Sequence, residues 1–303
     1  MKSNNKFNRA KSSATITIEE IIRDSANKLN KVTENPRLEA EILLSYHLNK
    51  DKVWLYTHLK TPVLCNSLHK FSTLLTRRLN GEPISYILGY KEFWKDKFLV
   101  NRHTLIPRPE TEIIVEHAIN WCKKNGIKEP IILDLGTGSG NIALSILKEF
   151  KNAYAYCLDI SFYALKVAKE NAKRLGLDKR SYFFVSNWLS SIKPRAFFDI
   201  IVTNPPYISS QDICKIDKTV RKFEPESALF ARENGLSEIK NILNALHSYI
   251  KSPMLFISEI GYNQKDSVIK FINTTDNLKA FNFNLEILKD LAGLDRAIKI
   301  EFC

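Results

Sequence analysis

Ile131-Ile132-Leu133-Asp134-Leu135-Gly136-Thr137-Gly138-Ser139-Gly140 is the stretch that decides the fold. Its first half is an apolar run of strand length. Its second half places glycine at every other position, which lets the backbone turn sharply and approach a ligand closely. Over residues 141–150 the apolar side chains Ile142, Ile146 and Phe150 recur at helical spacing. Strand, glycine turn and helix then repeat in kind. Residues 153–158 form a strand ending in Asp159, and 164–175 a helix closed by Gly176. Strands follow at 182–185 and 197–203, a helix at 236–250 and a strand at 254–257. Residues 283–288 and 297–302 read as an antiparallel hairpin. Strands alternating with helices predict an α/β fold, with a mostly parallel sheet and helices on both faces.

Upstream, residues 17–81 read as a small helical bundle. Thr17-Ile18-Glu19-Glu20 has the capping-box pattern, and Asn35-Pro36 puts a cap and a proline at the start of a second helix. Val53–Tyr56 reads as a short helix or turn. A further helix carries Leu68, Phe71, Leu75 and Leu79 and stops at Gly81. Residues 82–104 read as a linker and β-hairpin, with Glu92-Phe93-Trp94 and Phe98-Leu99-Val100 flanking Lys95-Asp96-Lys97. Residues 105–303 form the second domain. It opens on the rigid arm Pro107-Arg108-Pro109 and a helix with acids in its first turn.

Composition excludes several classes. No run approaches the ~18 apolar residues of a membrane span. The five cysteines are odd in number and scattered, with no C-x-x-C pair, which argues against a disulfide framework or a zinc site. The six histidines lack metal spacing, so no metal is expected. The cysteine pattern fits a reducing, cytoplasmic compartment. The net charge of +12 would suit a nucleic-acid partner, but the lysines are spread along the chain beside abundant Asn and Ile, so nucleic acid is not required. Residues 1–16 lack acids and read as a disordered tail. The alternative is a transit peptide that would direct the chain to an organelle matrix.

Asn204-Pro205-Pro206-Tyr207 follows the strand at 197–203. Two prolines end ladder pairing, and Asn204 is pushed toward extended geometry by the proline after it. The Asn204 side-chain oxygen and a backbone carbonyl can accept both hydrogens of a flat NH2 group, while Tyr207 covers a face. The glycine turn is not the dinucleotide fingerprint, which would need glycine where Asn141 stands, and no phosphate loop is present.

Asp134-x-Gly136-x-Gly138-x-Gly140 resembles instead the turn of S-adenosyl-L-methionine-dependent methyltransferases, and the fold expected is their Rossmann-like sheet with an antiparallel C-terminal strand. More of the chain is similar to one family. Gly81-Glu82-Pro83-Ile84, Glu92-Phe93-Trp94, the stretch from Leu105 to Glu112, Asn204 to Tyr207, Phe223-Glu224-Pro225 and Asp290-Leu291-Ala292-Gly293 all resemble the bacterial peptide chain release factor glutamine methyltransferases, the PrmC or HemK family. The resemblance covers residues 17–303. It implies methyl transfer from S-adenosyl-L-methionine to the glutamine amide nitrogen in the Gly-Gly-Gln loop of class 1 release factors, modulating translation termination. It also implies a helical N-terminal domain that helps to dock the protein. The chain itself is expected to be a monomer.

Carried onto this chain, cofactor contacts fall on Gly136, Thr137, Gly138, Ser139, Gly140, Asp159, Asn187, Trp188 and Asn204. Asp159 would accept from the ribose hydroxyls and Asn187-Trp188 would meet the adenine. Substrate contacts fall on Asn204, Pro205, Pro206, Tyr207 and Arg108, with Asn204, Pro205 and Tyr207 catalytic. Two other readings stand beside this one: a DNA or RNA base-amino methyltransferase, and a binding protein on a vestigial methyltransferase fold. An amide nitrogen is a poor nucleophile and no His or Cys presents itself as a base, so catalysis is expected to work by orientation.

Overall fold

The structure, a computed structural model, describes residues 14–303. It divides into two compact units between Gly89 and Tyr90. Of the tail expected over residues 1–16, residues 1–13 lie outside the described residues. Residues 15 and 16 are not tail. Strand β1 (Thr15–Thr17) pairs antiparallel with β2 (Pro62–Leu64), Thr15 opposite Leu64. The Thr-Ile-Thr run is β-branched throughout, which suits a ribbon.

In the first unit, α1 (Ile18–Leu29) starts at the capping box. The Thr17 hydroxyl accepts from the Glu20 amide, and the Thr17 amide donates to the Glu20 carboxylate at 2.9 Å. Helices α2 (Pro36–Leu48), α3 (Lys52–Thr57) and α4 (His69–Leu79) pack with it. Their core includes Ile21, Leu43, Leu44, Leu55 and Phe71, each worth about 1.5–3 kcal/mol when buried. The stretch read as the start of a linker is a fifth helix, α5 (Ile84–Leu88), closed by Gly89 in the left-handed conformation. It folds because Tyr86 and Ile87 are buried and Arg77 holds both the Glu82 carboxylate and the Tyr86 carbonyl.

The second unit begins with the hairpin β3 (Tyr90–Phe93) and β4 (Asp96–Leu99). Its turn is Trp94-Lys95, one residue earlier than the sequence suggests. Trp94 takes φ 55° and its amide donates to Glu112 at 2.7 Å. A 3-10 turn at Pro109–Thr111 leads into α6 (Glu112–Lys124). The α/β alternation follows: β5 (Ile131–Leu135), α7 (Asn141–Glu149), β6 (Tyr154–Asp159), α8 (Phe162–Arg174), β7 (Ser181–Val185) and β8 (Ile200–Thr203). A small segment holds β9 (Ile208–Ser209), α9 (Lys218–Phe223), β10 (Phe230–Ala231) and the distorted single turn α10 (Arg232–Gly235). Then come α11 (Ser237–Leu246), β11 (Met254–Glu259), α12 (Lys265–Thr274), α13 (Asp276–Lys279) and the hairpin β12 (Phe283–Lys289) and β13 (Asp295–Phe302).

Seven of these strands form one sheet in the order β12-β13-β11-β8-β5-β6-β7. All neighbours are parallel except at β13, which runs against both β11 and β12. Alternate residues supply the two faces. Ile132, Cys157, Val202 and Ile257 pack toward α6 and α7, while Leu133, Leu158, Ile201 and Phe256 pack toward α11 and α12. The run expected to begin at Phe197 enters the sheet only at Ile200. Phe197 and Phe198 instead pack edge-on against Tyr156. Among the described residues, no helix is long and apolar enough to cross a membrane.

The strand order reverses at β5: β6 and β7 lie on one side of it, β8 and β11 on the other. Open α/β sheets bind ligands at the carboxyl ends of the strands flanking such a switch point. Register fixes what meets there. Leu135 pairs with Thr203 and Thr203 with Ser258, so Gly136, Asn204 and Glu259 emerge side by side.

Candidate active site

The crevice at this switch point is a cavity of ≈290 Å³. One wall is the glycine turn from Gly136 to Ser139 with Asn141 and Ile142. A second is Asp159-Ile160-Ser161 with Asn187 and Trp188. Asn204 and Pro206 lie opposite, and the rim carries Arg108, Thr111, Pro225, Phe230 and Glu238 among others. Most sequence-derived site residues therefore line one space. Gly140, Pro205 and Tyr207 do not line it.

The turn is held from beneath. The Asp134 carboxylate is wholly buried and accepts from the Thr137 hydroxyl at 2.7 Å and the Ala143 amide at 3.3 Å. Its second oxygen has no partner. Burial pushes the Asp134 carboxyl up to about 7, against these two hydrogen bonds. The Ser139 carbonyl is gripped by buried Asn171 of α8, whose amide also bonds both backbone groups of Leu99. Removing a buried partner that satisfies three groups costs about 1–3 kcal/mol for each one orphaned.

The glycines have separate reasons. Gly136 is at φ +71°, and a Cβ there would come 3.2 Å from the Trp188 ring, which covers it. Gly138 is at φ +57°, and a Cβ there would meet nothing within 4 Å, so that face is open to the cavity. Gly140 caps α7 at φ +80°, where a Cβ would press on Leu144 and Ala168; its role is packing.

Asp159 uses one oxygen to accept from the Gly138 amide and the other from Ser161, both at 2.8 Å. Burial raises its pKa, and the two amides act against that rise. A carboxylate has about four lone-pair positions, so acceptor capacity remains for hydroxyls. Trp188 adopts φ 50°, uncommon for a bulky residue, and its indole N–H donates to Glu238 at 2.7 Å. Glu238 is an acid in the first turn of α11, where helix-dipole compensation is reason enough for it, so nothing in the sequence marked it as a wall of the site.

Asn204 donates its amide to the Thr111 hydroxyl at 3.3 Å. Thr111 donates in turn to Glu259 at 2.6 Å, and the Tyr207 hydroxyl donates to the other Glu259 oxygen at 3.1 Å. Burial raises both Glu259 and Tyr207, and for Tyr207 the Glu259 charge adds to it. Arg108 is paired with buried Glu224 at 2.6 Å, and Glu224 also takes the Ile106 amide, which ties the Pro-Arg-Pro arm across the rim. The Tyr207 carbonyl is gripped by Gln264 at 3.1 Å and lies against Gly235. Thr111, Glu224, Glu259 and Gln264 carry this wall, and sequence reasoning did not single out their contacts.

Residues 20–89 match the PrmC N-terminal domain and 112–236 the methyltransferase small domain. The release factor glutamine methyltransferase of Buchnera aphidicola subsp. Baizongia pistaciae is 40% identical over 269 residues, covering 89% of this chain and 93% of the relative. That of Koribacter versatilis is 37% identical over 266 residues, covering 88% and 91%. A bifunctional methyltransferase of Rickettsia typhi is 37% identical over 303 residues, 94% of this chain but 57% of the longer relative. Among solved structures, the hMettl16 catalytic domain in complex with a MAT2A 3'UTR hairpin superposes with TM-score 0.53 at 13% identity, over 79% of this chain and 84% of that one, a likeness of fold. At these identities and this coverage, the chain belongs to the family of release factor glutamine methyltransferases.

Proposed function

We propose that this methyltransferase moves a methyl group from S-adenosylmethionine to the side-chain amide nitrogen of the glutamine in the Gly-Gly-Gln loop of class 1 peptide chain release factors, in the cytoplasm. The observation that carries the reading is the Asn204 carboxamide. Its NH2 is engaged by Thr111, which leaves its oxygen as an acceptor beside the cavity wall formed by the glycine turn.

The residues fit the methyl donor. Gly138 offers an open backbone face, Asp159 retains lone pairs for ribose hydroxyls, and Asn187 and Trp188 supply a polar group and a ring for the base. When bound, S-adenosylmethionine supplies an electrophilic methyl carbon on a positively charged sulfur. The chain's own contribution is orientation. The Asn204 side-chain oxygen at the cavity wall and a backbone carbonyl of the Asn204–Tyr207 segment hold the two hydrogens of the substrate amide, which fixes the direction of the nitrogen lone pair. Both acceptors bind more strongly as positive charge develops on that nitrogen, so they favour the transition state over the ground state, and one of the two held protons then passes to water to leave the neutral methylated amide. Five free cysteines among the described residues accord with a reducing compartment. In this reading the helical unit helps to dock the protein substrate.

Incubation with radiolabelled S-adenosylmethionine tests the proposal against three acceptors: a class 1 release factor, the same factor with its loop glutamine replaced, and duplex DNA. Label on the intact factor alone is expected. Label on DNA, or equal label on the glutamine-replaced factor, overturns it.

A further inference from the structure

We infer that Glu259, acting through Thr111, sets which end of the Asn204 carboxamide faces the substrate, and so makes the site select an NH2 group over an oxygen. This rests on the reading of Asn204 given above. Asn and Gln side chains are nearly symmetric in shape, so their orientation is decided by hydrogen-bond partners. Here the partners form a directed chain. Glu259 is buried to 1% exposure at the end of its strand, and each of its two oxygens is taken by a hydroxyl donor, Thr111 on one and Tyr207 on the other. The Thr111 hydroxyl thus spends its single proton on Glu259, in a short bond of 2.6 Å. That leaves the Thr111 oxygen as an acceptor toward Asn204, so Asn204 must turn its NH2 to Thr111 and its oxygen outward. Tyr207 donates to the second Glu259 oxygen and keeps the carboxylate from rotating away.

The consequence is chemical discrimination. An outward Asn204 oxygen pairs with a substrate NH2 and repels a carboxylate, so glutamine is accepted and glutamate refused. Reversing the amide would present NH2 to the substrate nitrogen and oppose methyl transfer. Thr111 and Glu259 are thus positioning residues, and Asn204 is the group that touches the substrate.

Thr111→Val removes the relay at constant size, while Thr111→Ser keeps the hydroxyl. Thr111→Val is expected to lower kcat on the release factor by ~10–100-fold, the scale of losing a buried hydrogen bond and its partner, with a smaller change in KM. Thr111→Ser restores most of the rate. Equal activity of Thr111→Val and wild type overturns the inference, and so does a Thr111→Ser variant as impaired as Thr111→Val, which would assign the effect to packing. Should Thr111→Val fail to fold, Glu259→Gln, whose amide no longer dictates one direction, is expected to lose ~10-fold in kcat, again the scale of one buried hydrogen bond; full activity contradicts the relay.

A readout independent of activity is the side-chain 15N–1H pair of Asn204, assigned by difference from Asn204→Ala. One proton is expected to be shifted and slow to exchange in wild type and Thr111→Ser, and neither in Thr111→Val. Wild-type enzyme inactive on release factors but showing this pattern would sink the functional reading and keep the relay. Two solvent-like protons in wild type would sink the relay whatever the activity.

Discussion

Gly235→Ala changes one hydrogen to a methyl group outside the cavity, yet the loss it should cause is large. Gly235 closes three successive left-handed residues, Glu233 at φ 54°, Asn234 at φ 57° and Gly235 at φ 86°. A Cβ at Gly235 would lie 2.0 Å from the Tyr207 carbonyl oxygen and 2.6 Å from the Gln264 amide. Real Cβ atoms essentially never come within 3.0 Å of a neighbour, so the turn and the Asn204–Tyr207 loop must part by about 1 Å. Two costs follow. A non-glycine residue in the left-handed region costs about 1–2 kcal/mol, which lowers the melting temperature. A displacement of about 1 Å at a positioning group costs on the order of 10²-fold in rate. The glycine turn and Asp159, which carry most of the donor contacts, lie on other strands and do not touch Gly235, so the donor should bind nearly as before. The assay is single-turnover methylation of a release factor at saturating donor, well below the melting transition, with S-adenosylhomocysteine Kd by calorimetry. The expected result is ~10²-fold slower transfer with Kd nearly unchanged. Wild-type transfer by Gly235→Ala, or loss of donor affinity in parallel with rate, refutes the reasoning.

The other outcomes concern the cavity walls. Asn204→Ala removes the acceptor aimed at the substrate and should nearly abolish kcat at saturating donor; unchanged single-turnover methylation would remove Asn204 from the mechanism. Asp159→Ala should chiefly weaken donor binding, measured by calorimetry, and an unaltered Kd would show the ribose assignment to be wrong. Asp134 gives a pH signature. Its folded pKa, pushed up to about 7 by burial, lies above the unfolded value of about 4. Between those values the unfolded chain has lost a proton that the folded chain keeps, so stability falls as pH rises through this window and levels off above it. The size is at most about 4 kcal/mol, from roughly three pKa units at about 1.36 kcal/mol each. The carboxamide introduced by Asp134→Asn can still accept from Thr137 and Ala143 but does not titrate. This variant should therefore melt with a flatter pH profile between about 4 and 7, and above wild type at about pH 8. Parallel profiles would contradict the burial argument.

What the sequence made legible was local. The glycine turn, Asp159 at a strand end and Asn204-Pro205-Pro206-Tyr207 each carry their signal within a few residues, and parallel register brings those strand ends together. The positioning of Asn204 was not legible, because its partners are remote. Asn204 reaches Thr111 across 93 positions, and Thr111 reaches Glu259 across 148. Glu259 itself reads as an ordinary acid after an apolar strand, and only burial reveals it as a fixed acceptor. Trp188 hydrogen-bonds Glu238 50 residues away for the same reason. Helix α5 leaves no periodic signal, because five residues hold too few turns for one to show; burial of Tyr86 and Ile87 forms it. Arg108 lies on the cavity rim and is held there by Glu224, a contact across 116 positions that spacing cannot announce.

In the proposed reaction the acceptor atom is a glutamine side-chain nitrogen held by Asn204. Tandem mass spectrometry of the release factor after treatment with enzyme and S-adenosylmethionine tests it directly. A single added methyl is expected on the fragment ions that contain the side-chain amide of the Gly-Gly-Gln glutamine, absent with Asn204→Ala enzyme. A methyl on any other residue, or on the glutamine with Asn204→Ala enzyme at the wild-type rate, contradicts the account.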